Sequence, residues 1–308
     1  MNLRYAVIGS GALGGFYGGK LARAGRDVHF LFHSDYQYVV ENGLKIDSVT
    51  GDFHLDNVNA YSSTADMPKA DVVLVCLKTT NNHLLKTLLP PILHPGSVIV
   101  LIQNGLGVEE DVAHDFPKQP IAGGLAFICS NKIGDGHIAH LDYGRLNLGT
   151  YQGDIDPLLQ QIKTDFTEAG VPAEVSPDLM KARWQKLVWN IPYNGMTVVL
   201  YTTTDRLMKE PSTRQLSYAL MLEVIAGARA CGIEVKESFA DKMMELTDSM
   251  TPYAPSMKLD FDFKRPMEIE YIYSHPVKIA LEAGYNMKKV AMLESQLRFI
   301  QSGLSEKE

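Results

Sequence analysis

Short apolar runs, each bounded by glycine or polar residues, recur through the first half of the chain. Runs of this kind are typical of parallel strands that are buried on both faces. An alternating stretch over residues 44–61, with turn signals at Gly43 and Gly51, predicts a small hairpin added to the same sheet. The pattern predicts strands at 5–8, 27–32, 71–77, 97–102, 121–130, 137–141, 145–150 and 172–175, and helices at 16–24 and 156–169.

Strand signals end near Ser176, and the rest of the sequence has the apolar spacing of helices. The segment 216–231, which stops before Gly232, has an especially long pattern of this kind. We therefore predict an α/β domain over residues 1–176 and an all-α domain over residues 177–308. Only the last residues, 305–308, are expected to be frayed.

A glycine-rich turn follows the first predicted strand. Its sequence, GSGALG, is G-x-G-x-x-G in the position between a strand and a helix, which is typical of a Rossmann-like dinucleotide-binding domain. Gly9 permits the tight turn, Gly11 lets a pyrophosphate approach the backbone, and Gly14 lets the helix pack closely on the sheet. The alternative is a structural turn without a ligand. The predicted cofactor-binding residues here are Gly9, Ser10, Gly11, Ala12, Leu13 and Gly14.

Polar residues follow three of the predicted strands, where open α/β sheets bind ligands. Lys78 and Asn104 come after the strands at 71–77 and 97–102, so we expect the nicotinamide and the substrate near them. His33 follows the second strand, where an NAD site usually has a carboxylate for the ribose. The missing carboxylate favours NADP(H), with His33 as a cofactor contact or, equally, a surface histidine.

Composition excludes several classes of function. A net charge of −7 argues against nucleic acid or an anionic membrane as a partner. The three cysteines, far apart in sequence, and the nine histidines show no metal-binding spacing, so we predict no metal. Because the first strand begins within a few residues of Met1 and no apolar run approaches membrane-spanning length, we expect a cytoplasmic protein.

Lys186, Asn190 and Asn194 recur every four residues and should share one helix face. A solvated face is the alternative, but the surrounding sequence is apolar and a lysine there needs a reason. Pro192 should kink this helix, which makes the position of Asn194 less secure. Further on, Glu268 and Glu270 are both candidates for an inward carboxylate, and sequence spacing does not choose between them.

The motifs together resemble those of ketopantoate reductases (2-dehydropantoate 2-reductases). The similar segments, in the family's order across nearly the whole chain, are GSGALG, VCLKTT, LIQNGLG, ARWQKLVWNIPYN, PSM and RPMEIEY. The resemblance implies a Rossmann domain, a helical domain and an active site in the cleft between them. It also implies NADPH-dependent reduction of 2-dehydropantoate to (R)-pantoate, a step in pantothenate and coenzyme A biosynthesis.

The resemblance further implies roles for individual residues. Lys186 would donate the proton, with Asn104 beside the nicotinamide and substrate and Glu268 at the cofactor ribose or the substrate hydroxyl. The substrate would be bound by Lys186, Asn190, Asn194 and Ser256. Of these, Ser256 would hold the carboxylate of the substrate. The cofactor set would add His33, Lys78, Asn104 and Glu268 to the glycine turn. Two departures from the family pattern, Thr204 and Tyr273-Ser274, concern substrate specificity.

Three hypotheses follow from these residues. The first is the ketopantoate reductase itself, with a small 2-oxo acid as its partner. The second is an NAD(P)H-dependent reductase of another 2-oxo acid with the same mechanism. The third is a catalytically inactive NADP-binding sensor, against which the intact Lys186, Asn190 and Glu268 argue. A homodimer is possible, since the apolar helical half could bury a dimer face or its own core.

Overall fold

The computed structural model describes residues 3–250, 252 and 254–305. The described chain forms two compact units. Unit one contains residues up to 103 and 108–179, and unit two contains 104–107 and the residues from 180 onward. Of the residues expected to be frayed, Ser305 ends a helix and 306–308 lie outside the described residues.

Unit one is built on one mixed sheet. The strands lie in the order β4-β3-β9-β8-β7-β6-β1-β2-β5, and β10 pairs with β9. The pairs β8·β9 and β3·β4 are antiparallel, and the others are parallel. The strands are β1 (Arg4–Ile8), β2 (Asp27–Leu31), β3 (Leu44–Ser48), β4 (Phe53–Leu55), β5 (Asn59–Tyr61), β6 (Val72–Val75), β7 (Val98–Leu101), β8 (Ile121–Gly134), β9 (His137–Gln152) and β10 (Ala173–Val175).

The central strands are apolar because helices and loops cover both faces of the sheet. Every residue of β6 and β7 is buried, as the continuous apolar runs predict. A core of sheet side chains packs with Phe16, Tyr17 and Leu21 from the first helix and Phe166 from the fifth. The helices of unit one are α1 (Ala12–Arg23), α2 (Tyr36–Asn42), α3 (Leu85–Leu88), α4 (Val108–Asp115) and α5 (Asp156–Glu168).

Two strand predictions differ from the structure. The segments predicted at 137–141 and 145–150 are one strand, β9, with two irregularities of register against β8 where they join. Tyr143 and Gly144 have positive φ values of 61° and 109° there, so the break in the apolar pattern marks a distortion within a strand. The hairpin over 44–61 is present as β3 and β4, but β5 leaves it and pairs with β2.

Unit two contains helices only, apart from connecting segments, in the part of the chain that the structure describes. Its core surrounds the first of these helices and includes Trp184, Leu187, Val188, Ile191 and Leu106. A π-helical turn (Glu270–Ser274) precedes α11. The helices are α6 (Leu179–Val199, whose first residue falls in unit one), α7 (Thr204–Lys209), α8 (Pro211–Ala230), α9 (Ser238–Ser249), α10 (Ser256–Asp262), α11 (His275–Glu282) and α12 (Lys288–Ser305).

This architecture confirms the predicted fold class, a Rossmann-like α/β unit followed by a helical unit. The division into two units differs from a single cut after Ser176 in two respects, the first of which is that the main boundary falls between Leu179 and Met180. Residues 104–107 follow β7 in sequence but pack within the helical unit.

Candidate active site

The glycine turn of unit one has the shape that a dinucleotide site needs. Gly9 has a φ of 95°, and a Cβ there would lie 2.6 Å from the backbone nitrogen of Leu77. A Cβ at Gly14 would overlap the carbonyl oxygen of Gly9, so this glycine lets α1 pack against the turn. A Cβ at Gly11 would meet no atom within 4 Å. The turn is therefore tightly built at Gly9 and Gly14 and open at Gly11.

The start of α1 is suited to an anion. Helix α1 begins at Ala12, its first turn contains no acidic residue, and no side chain caps it. Its amide groups and helix dipole thus favour negative charge beside the open space at Gly11. Ser10 donates its hydroxyl to the carbonyl of Leu31 at 2.9 Å, which ties the turn to the end of β2. The residues present therefore fit the pyrophosphate of a dinucleotide.

The turn lies at the point where the strand order reverses. Strand β1 lies between β2 and β6, and the Cys76 amide after β6 donates to the carbonyl of Ile8 at 2.8 Å. Lys78 follows this junction, half-buried, and precedes a 3₁₀ segment from Thr79. Ligands of open α/β sheets bind at such reversal points.

The end of β2 offers an exposed histidine and a carboxylate that is already engaged. His33 is exposed. Asp35, two residues later, is buried and forms an ion pair with Lys132. It also accepts a hydrogen bond from the backbone amide of Gly136 at 3.1 Å. Burial raises the pKa of Asp35, but Lys132, Ser34 and the Gly136 amide outweigh it and lower the pKa overall. The hydrogen bonds and the ion pair of this carboxylate therefore connect the end of β2 to the turn between β8 and β9.

In unit two, α6 holds Lys186, Asn190 and Asn194 on one face. The helix continues through Pro192 to Val199, so all three side chains belong to one element. Lys186 is half-buried, and both asparagines are buried. The alternative of a solvated helix face is excluded by this burial.

Two buried groups of opposite charge act on Lys186. The pKa of Lys186 falls from 10.5 to about 7, because burial and then the Arg183 guanidinium lower it more than the Glu268 carboxylate raises it. Arg183 is 1% exposed and Glu268 is 4% exposed. A lysine in this environment gains and loses a proton near neutral pH, which is the property that a general acid requires.

The structure distinguishes the two glutamates of the RPMEIEY segment. Glu268 is buried, and its charge acts on Lys186. Glu270 is exposed, and its Oε2 atom accepts a hydrogen bond from Nη2 of Arg298 at 2.8 Å. Glu268 is therefore the inward carboxylate that the sequence could not identify.

The segment 104–107 packs on the π-helical turn. The Leu106 amide donates to the carbonyl of Tyr271 at 2.8 Å. Gly105, with a φ of 103°, would place a Cβ 2.5 Å from the Cβ of Tyr271, and a Cβ at Gly107 would overlap the His275 ring. The two glycines of the NGLG motif thus let this segment approach the π-helical turn and the start of α11. Asn104, which precedes them, is half-buried.

Three other positions are placed as follows. Ser256 is half-buried at the start of α10. Thr204 is buried at the start of α7. Tyr273 is fully buried and donates its hydroxyl to the carbonyl of Ile191 at 2.8 Å, while Gly195 leaves room for it, since a Cβ there would lie 2.7 Å from the hydroxyl. Tyr273 therefore contacts α6 at a position between Asn190 and Asn194.

Two further properties concern the described residues as a whole. Among them, no three or more histidine, cysteine, aspartate or glutamate side chains are grouped so that they could hold a metal ion. None of the helices in that part of the chain has the length and apolar character needed to cross a membrane.

Known proteins share both units of this chain. The family model described as "Ketopantoate reductase PanE/ApbA" matches residues 5–153, and the one described as "Ketopantoate reductase PanE/ApbA C terminal" matches residues 178–301. The chain belongs to the ketopantoate reductase family. This membership confirms the resemblance inferred from the motifs and makes the chain a member of a family of NAD(P)H-dependent oxidoreductases.

Individual relatives agree with this membership. A 2-dehydropantoate 2-reductase from Nostoc sp. is 50% identical over 302 residues, which is 96% of this chain and 95% of the relative. The crystal structure of 2-dehydropantoate 2-reductase from Geobacter metallireducens has a TM-score of 0.93 at 40% identity, over 96% of this chain and 99% of that one. A ternary structure of D-mandelate dehydrogenase with NADH and anilino(oxo)acetate has a TM-score of 0.90 at 18% identity, over 98% and 100%, and shares the fold.

Sequence reasoning missed two features of the site. Arg183 is absent from the site residues that the motifs predict, although its position three residues before Lys186 puts it on the same side of a helix. The contact between the NGLG glycines and the π-helical turn was also missed. Only the paired glycines hinted at it, because a π-helical turn has no signature in a single sequence.

Proposed function

We propose that this protein is an NADPH-dependent 2-dehydropantoate 2-reductase that reduces its substrate to (R)-pantoate. The observation that supports the proposal most directly is the cluster of Lys186, Arg183 and Glu268, with its lysine pKa of about 7. The buried Asn190 and Asn194 on the same helix add amide groups suited to a polar oxo acid. The 50% identical Nostoc reductase supports the same substrate.

The proposed cofactor residues are those of the glycine turn, Gly9 to Gly14, with His33, Lys78, Asn104 and Glu268. When bound, NADPH supplies a hydride to the carbonyl carbon of the oxo acid. A preference for NADP(H) over NAD(H) is supported by the end of β2. There the nearby carboxylate, Asp35, is neutralised by Lys132 and hydrogen-bonded to Gly136, so it neither binds a ribose hydroxyl nor repels a 2′-phosphate.

The chain's own groups would do the following chemistry. The Lys186 ammonium stabilises the negative charge that develops on the substrate's carbonyl oxygen and then donates a proton to it. Glu268 keeps part of the Lys186 population protonated at neutral pH by raising its pKa. Asn190 and Asn194 orient the substrate, Asn104 lies beside the reacting groups, and Ser256 binds the carboxylate.

Steady-state kinetics test the substrate and cofactor together. We expect 2-dehydropantoate to cause loss of NADPH absorbance and NADH to replace NADPH with a clearly lower kcat/KM. A panel of branched and hydroxylated 2-oxo acids, measured with the same cofactor, serves as the comparison. A higher kcat/KM for another acid would assign the protein to the second hypothesis, and NADPH binding without oxidation by any acid would assign it to the sensor.

Another 2-oxo acid is the second candidate because Thr204 and Tyr273 depart from the family pattern. The position of Tyr273 weakens that argument. Its hydroxyl is used by the Ile191 carbonyl and its ring is fully buried, so this departure is accounted for by packing within unit two. Thr204 is then the position to vary: Thr204→Asn should raise kcat/KM for 2-dehydropantoate if the departure affects the substrate.

A homodimer stays a prediction. Several large apolar side chains of unit two are exposed, among them Phe299 at 80% and Tyr201 at 71%. Exposed apolar groups of this kind are common at subunit interfaces. Sedimentation of the purified protein at several concentrations would measure the state.

A further inference from the structure

The proposed substrate contacts and the proposed proton donor do not include the buried guanidinium of Arg183. Arg183 lies on α6, three residues before Lys186, and is 1% exposed. Side chains three residues apart on a helix are neighbours on its surface, with Cβ atoms about 5–6 Å apart. A second cation is therefore held within unit two on the helix that presents the proposed proton donor.

A fixed positive charge beside a lysine favours the neutral form of that lysine. Arginine stays protonated at all relevant pH values and cannot relieve the repulsion by losing its proton. Lys186 can. The charged groups that act on Lys186 within the described residues come from two segments, Arg183 from α6 itself and Glu268 from the segment before the π-helical turn.

We propose that Arg183 is a positioning residue that acts through Lys186, and that its fixed positive charge disposes the Lys186 ammonium to release its proton during the reaction. The inference rests on the proposed function, in which Lys186 is the proton donor. Arg183 and Glu268 then form an opposed pair that balances two needs. The lysine must be protonated when the substrate binds and must give up that proton once the carbonyl oxygen gains charge.

The direct test measures the proton affinity of Lys186 without any substrate. Acylation of Lys186 by an amine-selective reagent, followed by peptide mass spectrometry over a range of pH, gives the midpoint of its ionisation. We expect a midpoint near 7 for the wild-type protein and one about 1 pH unit higher for Arg183→Met, because the like charge is gone. Arg183→Lys introduces a buried amine that can itself lose its proton, so its midpoint should lie between those of wild type and Arg183→Met.

Two controls separate this effect from a general loss of structure. Arg214→Met removes a guanidinium of the same unit that pairs with Asp248 and should leave the midpoint unchanged. Fluorescence of Trp184 and Trp189, which flank Lys186 on α6, reports whether each variant is folded. If Arg183→Met does not fold, Arg183→Gln replaces it, since glutamine is neutral and still able to hydrogen-bond.

The pH profile of the reductase activity gives a second readout. With a midpoint of 7 the protonated fraction of the lysine falls from about half at pH 7 to about a tenth at pH 8, and with a midpoint of 8 it falls only from about nine tenths to about half. Arg183→Met should therefore retain about three times more of its own pH 7 rate at pH 8 than wild type does. An unchanged midpoint in a folded Arg183→Met protein would overturn the inference. If the midpoint moves as expected but no oxo acid is reduced, the proposed function fails and the electrostatic role stands.

Discussion

Replacing Lys186 with methionine should make the protein more stable at neutral pH while it removes the proposed acid. Methionine has a similar length and no charge to desolvate. The pKa of Lys186 falls from 10.5 to about 7 on folding, chiefly through burial and then through Arg183. At about 1.36 kcal/mol for each pH unit, the full decrease corresponds to about 5 kcal/mol. Because the side chain is only half-buried, we expect Lys186→Met to gain about 2–4 kcal/mol at pH 6.

The gain should depend on pH in a defined direction. Below pH 7 the lysine is protonated in both the folded and the unfolded chain, so the wild-type protein bears the whole penalty. Between pH 7 and 10.5 the unfolded chain still holds the proton and the folded chain does not, so wild-type stability rises with pH. The difference between Lys186→Met and wild type should therefore be largest at pH 6 and disappear near the top of this range.

Urea unfolding followed by tryptophan fluorescence is suited to this measurement. Both tryptophans of the chain, Trp184 and Trp189, lie on α6, so the signal reports the unit that contains Lys186. Lys209→Met, which removes an exposed lysine of the same unit, is the matched control and should show no comparable gain. A Lys186→Met protein that is less stable at pH 6, or whose gain does not change with pH, would refute the assigned environment of this lysine.

Two further predictions concern glycines. Gly11→Ala should leave the stability of the apo protein nearly unchanged, because its Cβ meets no atom within 4 Å, yet weaken NADPH binding about tenfold or more if the pyrophosphate lies there. Calorimetry would measure both, with Gly14→Ala as the contrasting variant that destabilises the apo protein. Gly105→Ala should destabilise unit two by about 2 kcal/mol or more, because φ is positive and the new Cβ would lie 2.5 Å from Tyr271. An unchanged urea midpoint for Gly105→Ala would contradict the packing of segment 104–107.

The parts of the fold that follow from local pattern were predictable. The fully buried β6 and β7 produce continuous apolar runs, and the G-x-G-x-x-G turn has a steric requirement that is visible in Gly9 and Gly14. Distant pairings were not predictable, because they depend on residues far apart in sequence. Examples are the departure of β5 to pair with β2 and the union of two predicted strands in β9.

The candidate site shows the same limit. Helical spacing alone placed Lys186, Asn190 and Asn194 on one face, and α6 confirms it. The choice between Glu268 and Glu270 required the burial of each side chain, and the ion pair of Glu270 with Arg298 joins residues 28 positions apart. The electrostatic effect of Arg183 on Lys186 required knowledge of burial, which composition does not supply.

The central claim is that Lys186 donates the proton when a 2-oxo acid is reduced. A single-turnover experiment tests it most directly: protein saturated with NADPH is mixed with 2-dehydropantoate, and the oxidation of NADPH is followed for wild type and Lys186→Met. The account predicts a rate about 10²–10⁴ times lower for the variant and a dissociation constant for NADPH within about threefold of wild type. A variant that reduces the oxo acid at the wild-type rate, or that loses NADPH binding as severely as turnover, would contradict it.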